Sequence, residues 1–203
     1  MAEWDNLADD AALSRAVAAL SGNGIEAEVA EDGQRACQRV LGLIPAGAEV
    51  MTMRSATLEA IGLYAEIDDS SRFSSVRRRL ADPEGVTPEK EKRRLGAAPD
   101  WALGSVHAVT EDGRLFIASA TGSQLPAYAS GAGHVIWVVG AQKVVVDAEA
   151  AVQRIYEYVL PLEDQRMRRT RGIGSSVNKL LRIDREVKSG RLRLILVKEH
   201  LGF

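Results

Sequence analysis

His134-Val-Ile-Trp-Val-Val-Gly140 is a near-continuous apolar run of strand length, closed by a glycine. A run of this kind is expected of a strand buried on both faces, as at the centre of a parallel sheet. It places the chain in the α/β class. Gly140-Ala-Gln-Lys143 follows at its carboxyl end, where open α/β sheets put their ligands. Lys143 is therefore a candidate anion contact, with an ordinary surface lysine as the plainer reading.

Immediately upstream stands Ala118-Ser-Ala-Thr-Gly-Ser-Gln-Leu-Pro-Ala-Tyr128, a Gly/Ser/Thr turn leading to a proline that suits the first turn of a helix. Backbone N–H groups at that helix start, with the hydroxyls of Thr121 and Ser123 and the neighbouring Gly122 and Gln124, are expected to hold a phosphate or carboxylate. Neither the Walker pattern nor G-x-G-x-x-G is present, so the loop announces an anion without naming a nucleotide. Before it, Asp100 to Val109 and Leu115 to Ser119 read as two strands of a β-hairpin turned at Asp112-Gly113. His107, inside the first of these among apolar neighbours, reads as a core or sheet-face histidine, since no second ligand residue is placed to join it.

Towards the N-terminus, Leu13, Ala16, Val17 and Leu20 recur at helical spacing, and Ile25 to Ala30 alternates as a half-exposed strand. Asp32 is placed to cap a second helix that closes at Pro45. Glu49 to Arg54 reads as a strand, followed by a short helix that Ser55 or Thr57 can cap. Towards the C-terminus, Asp147 caps a helix with the face Val152, Ile155, Tyr156 and Val159, and Pro161 follows. The basic stretch beyond it carries Arg166, Arg169 and Arg171 beside Gly172-Ile-Gly-Ser175-Ser176. Guanidinium forks next to such a loop form a clamp for phosphate or carboxylate, or simply a basic helix running into a glycine loop. Leu180 to Asp184 and Leu192 to Val197 read as the last strands.

Composition bounds the rest. The chain has 203 residues, 46% of them hydrophobic, which suits a single domain spanning residues 1–203 with a core large enough to need no disulfide or metal. Residues 66–98 form a charged excursion broken by Pro83 and Pro88, read as solvated helices or a mobile segment. Its basic runs lack interleaved aromatics, which argues against a nucleic-acid surface. One cysteine, Cys37, excludes an internal disulfide framework or a thiolate metal cluster, and no metal or cofactor is expected. No apolar run approaches the length of a membrane span, and the acidic N-terminus does not read as a secretion signal, so a cytoplasmic setting is expected. The net charge of −2 hides a gradient, with thirteen acidic and four basic residues in 1–70 but five acidic and eleven basic in 161–203. Anionic ligands would collect at the basic end, unless the two ends merely solvate or pair with each other.

Three stretches, Asp100-Trp-Ala-Leu-Gly-Ser through Ala120-Thr-Gly-Ser-Gln, Val138-Val-Gly-Ala-Gln-Lys-Val-Val-Val-Asp147, and Gly190 through Phe203, together resemble the LUD domain of lactate-utilization proteins. Arg54-Ser-Ala-Thr-Leu-Glu-Ala-Ile-Gly62 resembles an earlier signature of the same family. The resemblance implies a three-layer α/β/α fold with a mostly parallel sheet, like that of glucosamine-6-phosphate isomerase, ribose-5-phosphate isomerase and the CoA-transferases. It also implies a part in oxidising L-lactate to pyruvate, as a protein C-like accessory subunit beside iron–sulfur partners that carry the electrons. Enzymes of that wider superfamily use a glutamate nucleophile or an Asp/Glu/Lys set, for which Glu59 and Lys143 are the nearest positions here. The alternative is a free-standing enzyme acting on a phosphorylated or thioester substrate, and homo-oligomerisation stays open.

Overall fold

The computed structural model describes residues 2–81 and 85–203. Met1 and residues 82–84, including the Pro83 break in the charged excursion, lie outside the described residues. In chain order the elements are α1 (Asp10–Gly22), β1 (Glu26–Ala30), α2 (Gly33–Leu43), β2 (Glu49–Thr52), α3 (Ala56–Ala60), β3 (Ser74–Ser75), α4 (Val76–Ala81) and α5 (Glu89–Ala97). There follow β4 (Trp101–Gly104), β5 (Ala108–Thr110), β6 (Leu115–Ser119), β7 (His134–Gly140), β8 (Val144–Val145), α6 (Ala148–Arg154), α7 (Leu160–Arg171), β9 (Lys179–Ile183) and β10 (Leu192–Val197).

Six strands form an all-parallel sheet in the order β1-β10-β7-β4-β2-β3. The apolar run that fixes the class is β7, and it lies inside this sheet between β10 and β4. Its side chains alternate between two cores: Val135, Trp137 and Val139 pack with α1 on one face, and Ile136 and Val138 pack with α2 on the other. Each such fully buried aliphatic side chain contributes about 1.5–3 kcal/mol of hydrophobic stabilisation. Apolar residues on both sides of one strand thus dictate helices on both sides of the sheet, and the layers are α/β/α.

Four shorter strands form a second, mixed sheet in the order β8-β5-β6-β9, which sits in the α1 layer and contributes Val109, Leu115 and Ile117 to the same core. The hairpin β5–β6 turns at Asp112-Gly113 as its sequence demands. The stretch Asp100 to Val109, however, is not one strand: it divides into β4 in the large sheet and β5 in the small one. The break, Ser105-Val-His107, is where the chain leaves one sheet for the other, and apolar periodicity is blind to such a change of partner.

The helix after Asp147 runs on through Pro161. α6, a π-helical turn (Ile155–Val159) and α7 follow one another without interruption. Proline has no N–H to give and crowds the carbonyl four residues earlier. The wider π turn stands just ahead of it, a known way for a helix to absorb such a defect. Tyr156 faces solvent, while Tyr158 takes the buried position. In the charged excursion, Ile67, Phe73 and Val76 are core residues, and Asp68 is buried, accepting from the hydroxyls of Thr52 and Ser75 at 2.7 Å each. No helix among the described residues is long and apolar enough to cross a membrane.

Candidate functional site

The carboxyl ends of β2, β4 and β7, the end of β6 and the π–α7 helix enclose a cavity of about 360 Å³. Parallel strands end with their loops on one side, so side chains distant in sequence converge there. Met53 to Thr57 come from the end of β2, Arg77 from α4, and Ser105 to His107 from the break between β4 and β5. Lys143 comes from the turn after β7. The opposite wall is built from Ser119 to Thr121, Ser123, Gln124, Glu163, Arg166, Arg171, Ser175 and Ser176.

Lys143 owes its place to Gly140. A Cβ at Gly140 would stand 2.7 Å from the Leu201 nitrogen and 2.8 Å from the Glu199 oxygen, so only glycine lets the C-terminal segment cross there. Gln142 Nε2 then donates to the carbonyls of Leu201 (3.0 Å) and Gly202 (3.2 Å). This fixes the 3-10 turn Ala141–Lys143 and sends Lys143 inward, 2% exposed. Its Nζ donates to Thr57 Oγ1 (2.9 Å) and Ser105 Oγ (3.2 Å), and no carboxylate lies within ion-pair distance among the described residues. Burial, with the Arg154 charge adding to it, brings its pKa down to about 7.

Arg154 is fully buried. It donates to the carbonyls of Gln142 (3.3 Å) and His107 (2.6 Å), lies over the Tyr158 ring, and leaves its Nη2 unpartnered. Burial lowers its pKa to about 10. His107 accepts the Ala118 N–H at Nδ1 (3.0 Å), which puts the proton of the neutral ring on Nε2. Burial first, then Lys143 and Arg154, hold the imidazole neutral with a pKa of about 3.

On the opposite wall, Arg166 reaches the cavity with its fork already filled by Glu163, through Nε and Nη2 at 2.7 Å each. Arg77 is turned to Thr52 and, at 3.8 Å, to Asp68. Arg54 and Arg171 are exposed members of the lining and form no ion pair among the described residues. Among the described residues, five cationic side chains and one acidic side chain, Glu163, line the cavity, which favours an anionic occupant.

The structure brings together Thr121, Ser123, Gln124, Lys143, Arg166, Arg171, Ser175 and Ser176. It leaves Gly122, Glu59 and Arg169 out of the lining; Glu59 and Arg169 are exposed, and Glu59 acts on the cavity through its charge on Arg166. The expected N–H cradle at Thr121 to Gln124 also differs. Gly122, at φ +83°, donates to Ser119 Oγ (2.8 Å) and Ser123 N–H to Thr121 Oγ1 (3.3 Å), and a π turn rather than an α-helix follows Pro126. The loop thus spends those two N–H groups on itself and presents side chains. Arg54, Thr57, Arg77, Ser105, His107 and Glu163 were not singled out for the site by sequence. For Arg54 and Thr57 a signal existed, because they follow a parallel strand just as Lys143 does.

The LUD domain family model matches residues 13–197. The chain belongs to the LUD domain family. Its fold is similar to that of a DUF162 family protein from Deinococcus radiodurans, known from a crystal structure at 1.70 Å resolution. The two align with a TM-score of 0.58 and 13% identity over 95% of this chain and 99% of that one. At that identity the likeness is one of fold. No curated protein matches the chain. Membership in the family points to a lactate-utilization-related function.

Proposed function

We infer that this LUD-domain protein binds a small carboxylate- or phosphate-bearing molecule in the cavity and serves as an anion-binding component of L-lactate oxidation to pyruvate beside iron–sulfur partners. The observation that carries the binding is Lys143, a buried cation with no carboxylate partner among the described residues, on the floor of a cavity lined by four arginines. A buried charge is costly unless paired, and a ligand anion supplies the missing partner. A volume of about 360 Å³ lies at the small end of ligand sites, which suits a compact acid better than a whole nucleotide coenzyme. The role in lactate oxidation and the iron–sulfur partners rest on family membership alone.

Thermal unfolding in the presence of L-lactate, pyruvate, sugar phosphates, nucleotides, coenzyme A and folates tests the binding. An anion at about 100 times its dissociation constant adds about 2.7 kcal/mol, a shift of roughly 5–10 °C for a chain of this size. That shift is expected with a small acid and is expected to shrink in Arg171→Ala; no shift with any compound contradicts the reading. Deletion of the gene is expected to abolish growth of the host on L-lactate, and unimpaired growth removes the metabolic part.

A second reading, a free-standing enzyme, is favoured by one observation. Lys143 and His107 both line the cavity with pKa values moved well away from the ordinary. It requires turnover by the isolated protein that collapses in Lys143→Met, whereas an accessory subunit shows none.

A further inference from the structure

The groups around Lys143 decide which of its protons and electron pairs are already committed. Thr57 Oγ1 donates to the Leu201 carbonyl (3.1 Å) and Ser105 Oγ to the Val106 carbonyl (3.3 Å). Each hydroxyl has one proton, and each spends it on a backbone oxygen. Both must then act as acceptors towards Lys143 Nζ, at 2.9 and 3.2 Å. A neutral amine has two N–H bonds and one lone pair. Here both N–H bonds are used, and the lone pair is left over beside the cavity.

We propose that Lys143 is a nucleophile that condenses reversibly with a small 2-oxo acid, whose carboxylate is received by the guanidinium groups of the lining. The proposal rests on the reading of the cavity as an anion site and adds a covalent step to it. The amine lone pair forms a bond to the carbonyl carbon, and the C=O electron pair moves to oxygen, which takes a proton. The nitrogen gives up one proton as the adduct becomes a neutral carbinolamine and its second as the hydroxyl takes up a proton, the C–O bond breaks and water leaves, so the two protons lost by nitrogen match the two gained by oxygen. One amine and one carbonyl become one imine and one water, with no oxidant or reductant consumed.

The surroundings suit each part. The groups whose charge Lys143 feels or that feel its charge, Arg154 and His107, are cationic and neutral respectively, and among the described residues no carboxylate holds the amine protonated. Burial next to another cation is a recognised way to make a lysine nucleophilic. With a pKa of about 7, roughly half of Lys143 is neutral near pH 7, about a thousandfold more than an ordinary lysine. By contrast, Lys198 is held charged by Asp10 and Glu31. His107, protonated at Nε2, has one donor left for the departing oxygen. The exposed Arg54 and Arg171 select a carbonyl compound that also carries a carboxylate.

The test is reductive trapping. The full chain is incubated with pyruvate and cyanoborohydride, its intact mass is measured, and the modified peptide is mapped. Heat protection by pyruvate without reductant is recorded on the same preparation. The expected result is one adduct per chain on the peptide containing Lys143, half-maximal near pH 7, absent in Lys143→Arg and far weaker with acetone. Lys143→Met serves as a second variant should the arginine not fit, and it too is expected to lose the adduct while keeping its unfolding transition. Heat protection without an adduct at Lys143 overturns the covalent step and leaves the anion site standing. Neither protection nor adduct overturns both. Labelling spread over the exposed lysines and unchanged in the variants overturns the proposal, and equal labelling by acetone overturns the choice of a 2-oxo acid.

Discussion

Two buried cations lie at opposite ends of the large sheet, and they are treated differently. Arg191 stands just before β10, at the amino end of the strands. Its guanidinium meets Glu186 at 2.6 Å and donates to the carbonyls of Ala127, Tyr128 and Ala132 at 2.9–3.1 Å. Lys143 stands just past β7, at the carboxyl end, with two hydroxyls and, among the described residues, no carboxylate. The first site is closed, since its charge and its hydrogen bonds are satisfied within the chain. The second lacks a counter-charge and opens on a cavity. A complete set of partners marks a structural ion pair, whereas the incomplete set marks a place for a ligand.

The largest expected effect breaks the closed site. Arg191→Ala takes the ion-pair partner from half-buried Glu186 and the guanidinium donors from the carbonyls of Ala127, Tyr128 and Ala132, and is expected to lower stability by about 3–5 kcal/mol in urea unfolding. A loss below about 1 kcal/mol would erase the contrast. Next in size is the effect of the rim on binding. Arg54→Ala and Arg171→Ala are each expected to weaken a bound small acid about 10- to 100-fold by calorimetric titration, the worth of one charge-assisted hydrogen bond, while leaving the unfolding midpoint unchanged.

The third effect is a pH dependence. The folded pKa of Lys143, about 7, is depressed below the ordinary 10.5, so between those values the unfolded chain binds more protons than the folded one. Stability therefore rises with pH across this window, by at most about 1.4 kcal/mol per unit from this group. His107, with a folded pKa of about 3 against 6.5, acts in the same direction lower down, and stability falls as pH drops below about 6.5. Urea midpoints against pH, with Lys143→Met as the reference lacking the upper slope, test the sign, and a fall between pH 7 and 10 specific to the wild type contradicts it. At neutral pH, where the folded chain bears most of this penalty, the same Lys143→Met is expected to raise stability by about 1–4 kcal/mol, because an apolar side chain of similar length removes a desolvated charge. The smallest effect belongs to Arg169→Ala, expected to shift neither stability nor binding by more than about 0.5 kcal/mol, since the side chain is exposed outside the cavity.

The contrast also explains what a sequence conveys and what it hides. Runs buried on both faces, His134 to Gly140 and Leu192 to Val197, identify the adjacent central strands β7 and β10, and the caps Asp32, Ser55 and Asp147 start their helices as read. These are local signals. The break at Ser105 to His107, the helix running through Pro161 and the self-bonded loop at Ser119 to Gln124 depend on what packs against them. Lys143 was legible because a strand's carboxyl end is a general place for ligands. Its two hydroxyl partners, Thr57 and Ser105, lie 86 and 38 residues away. Only the fold brings them together, and Arg166 cannot be known from its spacing to be already taken by Glu163.

The most direct measurement is the titration of the lysine side chains by NMR in protein labelled at Nζ, with and without pyruvate or L-lactate. One signal, lost in Lys143→Met, is expected to titrate near pH 7 in the free protein. It is expected to move upward when a non-condensing carboxylate such as L-lactate binds, because an anion favours the charged amine. If every lysine titrates near the ordinary value of about 10.4 and none responds to either acid, Lys143 is not an unpaired cation awaiting a ligand, and the account fails.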